Sequence, residues 1–170
     1  MYKKKKGKQL VNKENIKRTI ENIKPILMTV EDIPQIAEMY ILNWGIMCLL
    51  PDYALEMIIN KNMSYVYKIN DEVIAFCLME YDYEFNVCVD LICVKDKYKG
   101  LHLGENILSF CINNCKNFIF RKVHLHVSTT NKPALNLYKK LGFQAKNYIE
   151  KYYIDEKPED SNAYYMELNL

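Results

Sequence analysis

From Asn86 to Phe143 the apolar residues repeatedly change their spacing, and this alternation limits the fold more than any other feature of the chain. Asn86 to Val94 is a nearly unbroken apolar run and predicts a strand. After a loop from Lys95 to His102, the set Leu103, Ile107, Leu108, Cys111, Ile112 and Cys115 has the spacing of a helix with one apolar face. Val123, Leu125 and Val127 then alternate with His124, His126 and Ser128, so a second strand carries a polar face. Thr130 or Asn131 opens a further helix bearing Ala134, Leu137, Tyr138 and Leu141, which Gly142 ends. Strands from Phe143 to Ile149 and from Ala163 to Leu168 close the chain. A strand–helix–strand–helix–strand order requires a sheet whose neighbours are separated by helical crossovers.

The first half has a different rhythm. Ile26 to Met28 predicts a short strand, and Thr29 or Asp32 caps a helix with Ile33, Ile36, Ala37 and Tyr40 on its inner face. A loop through Leu50 and Pro51 leads to a short helix near 54–60. Tyr65 to Lys68 and Val73 to Tyr81 flank a turn at Asn70 and Asp71, which predicts a hairpin. Antiparallel pairing early and crossovers late give a mixed α/β sheet with helices on both faces.

Charge divides the chain of 170 residues into a basic extension, 1–24, and a single domain, 25–170. The extension holds eight Lys and Arg18 against Glu14 and Glu21, a net +7, which leaves −5 for the domain. Ile16, Ile20 and Ile23 have helical spacing within it. The reading is a solvated extension, with docking on an anionic partner such as ribosomal RNA as the alternative. No apolar run approaches the roughly 18 residues of a membrane span, and no apolar stretch follows the Lys-rich start as in a secretory signal, so the expected location is the cytoplasm. Six cysteines form no C-x-x-C pair and sit in apolar runs, as reduced buried thiols do. Cys111 and Cys115 with His124 and His126 superficially suggest zinc, but neither pair has finger spacing, and no metal is expected.

Val94 to Gly104, VKDKYKGLHLG, carries the chemistry. A strand ends, a basic loop turns at Gly100, and a helix begins near Gly104, so unpaired backbone N–H groups and a positive helix end converge. From spacing alone, both an anion site and a solvated connector remain open. This loop resembles the R/Q-x-x-G-x-G/A signature of the GNAT superfamily of acetyl-CoA-dependent N-acetyltransferases, with Lys99 at the Arg/Gln position and His102 where the first Gly is usual. NKPALNLYKKLGF, Asn131 to Phe143, resembles the second signature, N-x-x-A-x-x-x-Y-x-x-x-G-F. LHV at Leu125 to Val127, the Leu50–Pro51 loop, and KYY followed by an acidic loop and AYYMEL look like the protein N-terminal acetyltransferases of NatA, NatB and NatE type.

The resemblance implies a central, largely antiparallel sheet of about seven strands, and direct attack of an amine on the thioester of acetyl-CoA as co-substrate. Lys99, Gly100, Leu101, His102, Leu103, Gly104 and Glu105 would hold the coenzyme, with Asn131 touching it. A backbone N–H among Ile92, Cys93 and Val94 would polarise the thioester carbonyl. Tyr138 would protonate the departing thiolate. His126 matches the histidine that draws the amine proton through water, and Cys88 stands at its partner position. Asp52 would face the substrate amine, and Leu50, Pro51, Tyr53, Tyr152 and Tyr153 would wall a peptide groove.

An α-amine with a pKa near 7.8 is about a tenth neutral at pH 7, whereas a lysine side chain is neutral in roughly one molecule in 2,500. A weak base therefore suffices for polypeptide N-termini, the implied substrate. The rivals are a GNAT enzyme acting on lysine side chains or small amines, and a catalytically impaired acetyl-CoA-binding subunit of a Nat complex. An auxiliary Nat subunit and the ribosome are the implied partners, with no membrane and no specific nucleic acid.

Overall fold

A computed structural model describes residues 14–44, 52–153 and 161–170; of Trp44, Asp52 and Tyr53 only the backbone is described. The elements in order are α1 (14–21), β1 (Ile26–Leu27), α2 (Ile33–Trp44), α3 (Asp52–Ile59), β2 (Tyr65–Ile69), β3 (Glu72–Tyr81), β4 (Asn86–Val94), α4 (Leu103–Cys115), β5 (Lys122–Ser128), α5 (Lys132–Lys140), β6 (Gln144–Ile149) and β7 (Ala163–Asn169). The strands form one sheet in the order β1-β2-β3-β4-β5-β7-β6. Every neighbouring pair is antiparallel except β4 with β5, which matches the expected mixed, largely antiparallel sheet of seven strands.

Local chemistry explains the elements. Asn70 and Asp71 both adopt positive φ, 49° and 63°, as a two-residue hairpin between right-twisted strands requires. Asn131 caps α5, its side-chain oxygen accepting from the Ala134 amide at 3.2 Å. Gly142, at φ 95°, reverses the chain after α5, and the Phe143 amide returns to the Tyr138 carbonyl at 3.0 Å. Asp32 is buried, accepts from the Thr29 amide at 3.1 Å and pairs with Lys68 at 2.5 Å, fixing the entry to α2 on β2.

Two apolar layers sandwich the sheet. On one face α4 and α5 place Leu103, Ile107, Leu108, Cys111, Ile112, Cys115, Leu135 and Tyr138 over Ile74, Cys77, Met79, Val87, Val89 and Leu125. On the other, Ile33, Ile36 and Met39 of α2 and Leu55 and Ile59 of α3 cover Val66, Val73, Phe76, Leu78 and Cys93. The helical face expected of Ile16, Ile20 and Ile23 is present and lies on the first layer, with Ile20 buried and the other two packed beside it. No helix among the described residues is long and apolar enough to cross a membrane.

Burial of Ile20 ties α1 to the domain. Ile20→Ala is expected to lower the unfolding free energy by about 2–4 kcal/mol in urea titrations; an unchanged midpoint would mean that α1 is not part of the cooperative unit.

Candidate active site

Among the described residues, the only parallel neighbours in the sheet pair for just three residues, Asn86, Val87 and Cys88 against Lys122, Val123 and His124. Both strands continue, β4 to Val94 and β5 to Ser128, without further pairing between them. The result is a notch in the middle of the sheet, open toward the carboxyl ends of both strands. The Lys95 amide donates to the Ile74 carbonyl at 2.9 Å on the β3 side. Alternation along a strand therefore turns the Ile92 and Val94 amides toward the notch. Cys93 does not face it: its thiol lies in the α2 layer, accepts from the Asn43 side chain at 3.3 Å, and is pushed up to about 11 by burial.

At the open end of the notch the chain makes a tight turn from β4 into α4. Tyr98 is buried and anchors the loop in the core. Lys95 pairs with Glu72 at 3.0 Å and Lys99 with Asp96 at 2.6 Å. Gly100 and His102 both take positive φ, 78° and 59°. His102 precedes the first turn of α4, and the first helical bond is Asn106 N–H to its carbonyl at 2.9 Å. The amides of Leu103, Gly104 and Glu105 therefore find no acceptor within the helix. A Cβ on Gly104 would meet nothing inside the chain closer than Val94 Cγ2 at 3.7 Å. The fold itself tolerates a Cβ there, so the glycine leaves an open cradle beside unclaimed donors, which suits a diphosphate. The His102 imidazole is largely exposed and lies 3.5 Å from Glu105, which in turn pairs with Lys140 of α5 at 2.7 Å.

The other side of the notch is polar and aromatic. His126 stacks on Tyr152 with ring centres 4.3 Å apart and planes 13° from parallel, and it leans on Tyr165 at 5.2 Å. Burial, then the charge of His124, hold its imidazole below the usual range, so it is neutral at pH 7 and able to accept a proton. His124 is lowered mainly by burial, and its Nδ1 is buried with no partner among the described residues. Lys122, Tyr165 and Glu167 form a hydrogen-bonded cluster beside it. Tyr153 meets Tyr152 edge to face at 4.9 Å. Tyr138 is buried on the α5 side against Phe143, and desolvation raises its hydroxyl, so it stays protonated and has a proton to give.

Cys88 is the residue whose expected role the structure changes. Burial, then Asp90, Glu80 and Asp82, hold its thiol far above the ordinary range, so no thiolate forms and it cannot serve as a base. The thiol lies beside the Asp90 carboxyl, and each affects the other's ionisation. Asp90, two residues along the strand, is a polar group for which the motifs set no expectation. Leu78 pairs with Leu91 and Met79 with Val89, so Asp90 is the extra residue of a β-bulge. Its carboxyl is pushed up to about 6 by burial, and its Oδ2 is buried with no hydrogen-bond partner among the described residues. A lone carboxylate within the apolar run NVCVDLICV was the available signal.

The remaining expected residues fall in three groups. Gly100, Leu101, His102, Leu103, Gly104 and Glu105 share the turn, with Lys99 committed to Asp96. Asn131, expected to touch the coenzyme, caps α5 with its side-chain oxygen. Leu50 and Pro51 lie outside the described residues, and Asp52 and Tyr53 enter only as the backbone that starts α3. Cys111 and Cys115 lie in the α4 layer while His124 and His126 occupy the opposite face of β5, so the four do not converge. Among the described residues no cluster suited to a metal occurs.

Residues 33–143 match the family model described as the acetyltransferase (GNAT) family. A putative ribosomal protein bS18-alanine N-acetyltransferase of Bacillus subtilis is 38% identical over 64 residues, which are 38% of this chain and 42% of that protein. An N-alpha-acetyltransferase of Sulfurisphaera tokodaii is 28% identical over 103 residues, 54% of this chain and 62% of that protein. The chain thus spans less than two thirds of the length of these curated relatives. Among solved structures, Arabidopsis thaliana Naa50 in complex with the bisubstrate analogue CoA-Ac-MVNAL superposes with a TM-score of 0.74 at 22% identity, over 86% of this chain and 98% of that one.

The state of Asp90 can be read from stability. A carboxyl whose folded pKa lies above its unfolded value costs nothing while protonated in both states, below about pH 3; the cost grows from there toward pH 6 and is complete above it. Asp90→Asn is therefore expected to stabilise the fold by up to about 3 kcal/mol at pH 8, with the gain shrinking toward zero at about pH 3. Urea unfolding at the two pH values checks this, and a gain independent of pH would place the carboxyl in water.

Proposed function

This chain belongs to the acetyltransferase (GNAT) family, and on that premise we propose that it transfers an acetyl group from acetyl-CoA to the α-amine of polypeptide N-termini. The observation that carries the reading is the three-residue pairing of β4 with β5, which leaves a notch with unclaimed amides at one end and base-competent, aromatic walls at the other. The amides of Leu103, Gly104 and Glu105 would hold the diphosphate of the coenzyme at the positive end of α4. Acetyl-CoA supplies the acetyl group as a thioester when bound there. The Ile92 and Val94 amides are the donors available to polarise its carbonyl. Tyr138, kept protonated by burial, is a proton donor, and neutral His126 is an acceptor on the substrate side.

The preference for α-amines is supported by the names of the relatives and by the acid–base chemistry of the walls. The two curated relatives are named for acetylation at an alanine and at an N-alpha position. A neutral imidazole with its affinity for protons lowered by burial is a weak base, adequate for an amine that is already about a tenth neutral at pH 7 and inadequate for lysine. Tyr152 and Tyr153, in edge-to-face contact, would form the edge of a groove for peptide backbone.

A panel of peptides with free α-amines, and matched peptides blocked at the N-terminus but containing lysine, is to be incubated with acetyl-CoA while free thiol is followed. Free N-termini are expected to turn over at least roughly 100-fold faster. Equal rates would replace this reading with a side-chain acetyltransferase, and tight coenzyme binding without turnover would replace it with a non-catalytic subunit. Gly104→Val, whose Cβ meets only ordinary van der Waals contacts, is expected to abolish acetyl-CoA binding in calorimetry while leaving the fold intact by circular dichroism. Retained affinity would place the coenzyme elsewhere.

A further inference from the structure

We infer that Asp90 is the anion that attracts the substrate's α-ammonium into the notch and accepts its proton through an intervening water, the task that Cys88 cannot perform. This rests on the reading of an N-terminal acetyltransferase and adds to it the group that recognises the substrate in its charged form. Three observations lead there. Asp90 is the unpaired residue of the β4 bulge, and a bulge re-aims a side chain that regular pleating would bury or expose. Its Oδ2 is shielded from solvent yet has no donor among the described residues. The acids nearby are already committed: Glu80 pairs with Lys61 at 2.7 Å, and Asp82 accepts the Glu84 and Asn86 amides at 2.8 and 2.9 Å. That leaves Asp90 as the carboxylate of this cluster with unused acceptor capacity, and a buried acceptor without a donor favours whatever cation or water can supply one.

The surroundings support a cationic ligand rather than a structural pair. Facing Asp90 are Cys88 on its own strand, Glu80 on β3 with its partner Lys61, and Tyr152 after β6, with the buried Cys77 thiol of β3 farther off. Cys88 and Tyr152 are both held protonated, so neither competes for the proton. Tyr152 and His126 add stacked aromatic faces, which favour a cation beside them. In the step proposed, one N–H bond of the ammonium breaks and an O–H bond forms on the carboxylate by way of the water. The freed lone pair forms the C–N bond to the thioester carbon, the C–S bond breaks, and its electron pair stays on sulfur. A second proton from nitrogen ends on that sulfur, and Asp90 returns its own proton to solvent, so one proton is released per turnover.

Asp90→Asn keeps the shape and removes the charge, so it separates recognition from folding. The expected result with a free-N-terminus peptide is a loss of at least about 100-fold in kcat/KM at pH 7 with acetyl-CoA affinity unchanged. The pH profile should change form as well: rising through pH 6 and falling beyond about 7.8 in the parent, but rising through about 7.8 in the variant, which must wait for the neutral amine. Calorimetry in the absence of coenzyme should show the parent binding the free peptide more tightly than its N-acetylated form, with that preference lost in Asp90→Asn and partly kept in Asp90→Glu. If the parent acetylates N-termini and Asp90→Asn keeps kcat/KM within twofold and the same profile, this inference falls and the enzyme reading stands. If the parent acetylates no N-terminus, both fall.

Discussion

Everything in this molecule that bears on chemistry depends on a parallel contact only three residues long. A sheet neighbour normally claims the backbone donors and acceptors along its length, because unpaired buried amides are costly. Here β4 and β5 satisfy each other only at one end, and the remaining amides of β4 are left facing an opening. Separation on that scale needs support from both faces. Two continuous apolar layers supply it, one from α4 and α5 and the other from α2 and α3. The opening is thus held by packing on strands that are rigid elsewhere.

Around that opening, desolvation sets the protonation states. Burial lowers both histidines of β5, raises the Cys88 thiol and the Tyr138 hydroxyl, and lifts Asp90 toward neutrality. The walls are therefore divided between groups that hold a proton and groups that can take one up at neutral pH. The charged pairs that stabilise the sheet, Lys61 with Glu80 and Lys122 with Glu167, lie to either side and keep their charges committed. A division of this kind is what proton transfer between an incoming amine and a departing thiolate requires.

The turn into α4 shows how local backbone choices and ligand chemistry meet. Gly100 adopts positive φ at no steric cost, whereas His102 does so against the preference of a side chain with a Cβ. The conformation survives because Tyr98 is buried on one side and α4 begins on the other. The His102 side chain points into solvent and toward Glu105, which leaves the cradle at Gly104 open even though a glycine is absent at position 102.

Much of this architecture could be read from the chain. Hydrophobic spacing marked the strands and helices, because a period of two or of 3.6 follows from backbone geometry and needs no partner. The Asn70–Asp71 turn, the Asn131 cap and the Gly142 stop were legible for the same reason, and the two signatures identified the family. What tertiary structure alone decided was which backbone groups stay unpaired and which side chains lose their water. The β4 bulge exists only in register with β3, so Asp90 passed unmarked within an apolar run and Cys88 stood as the partner of His126. Electrostatic free energy depends on surroundings assembled from β3, β4, β5 and the segment after β6, and residues far apart in sequence carry no local mark of that meeting.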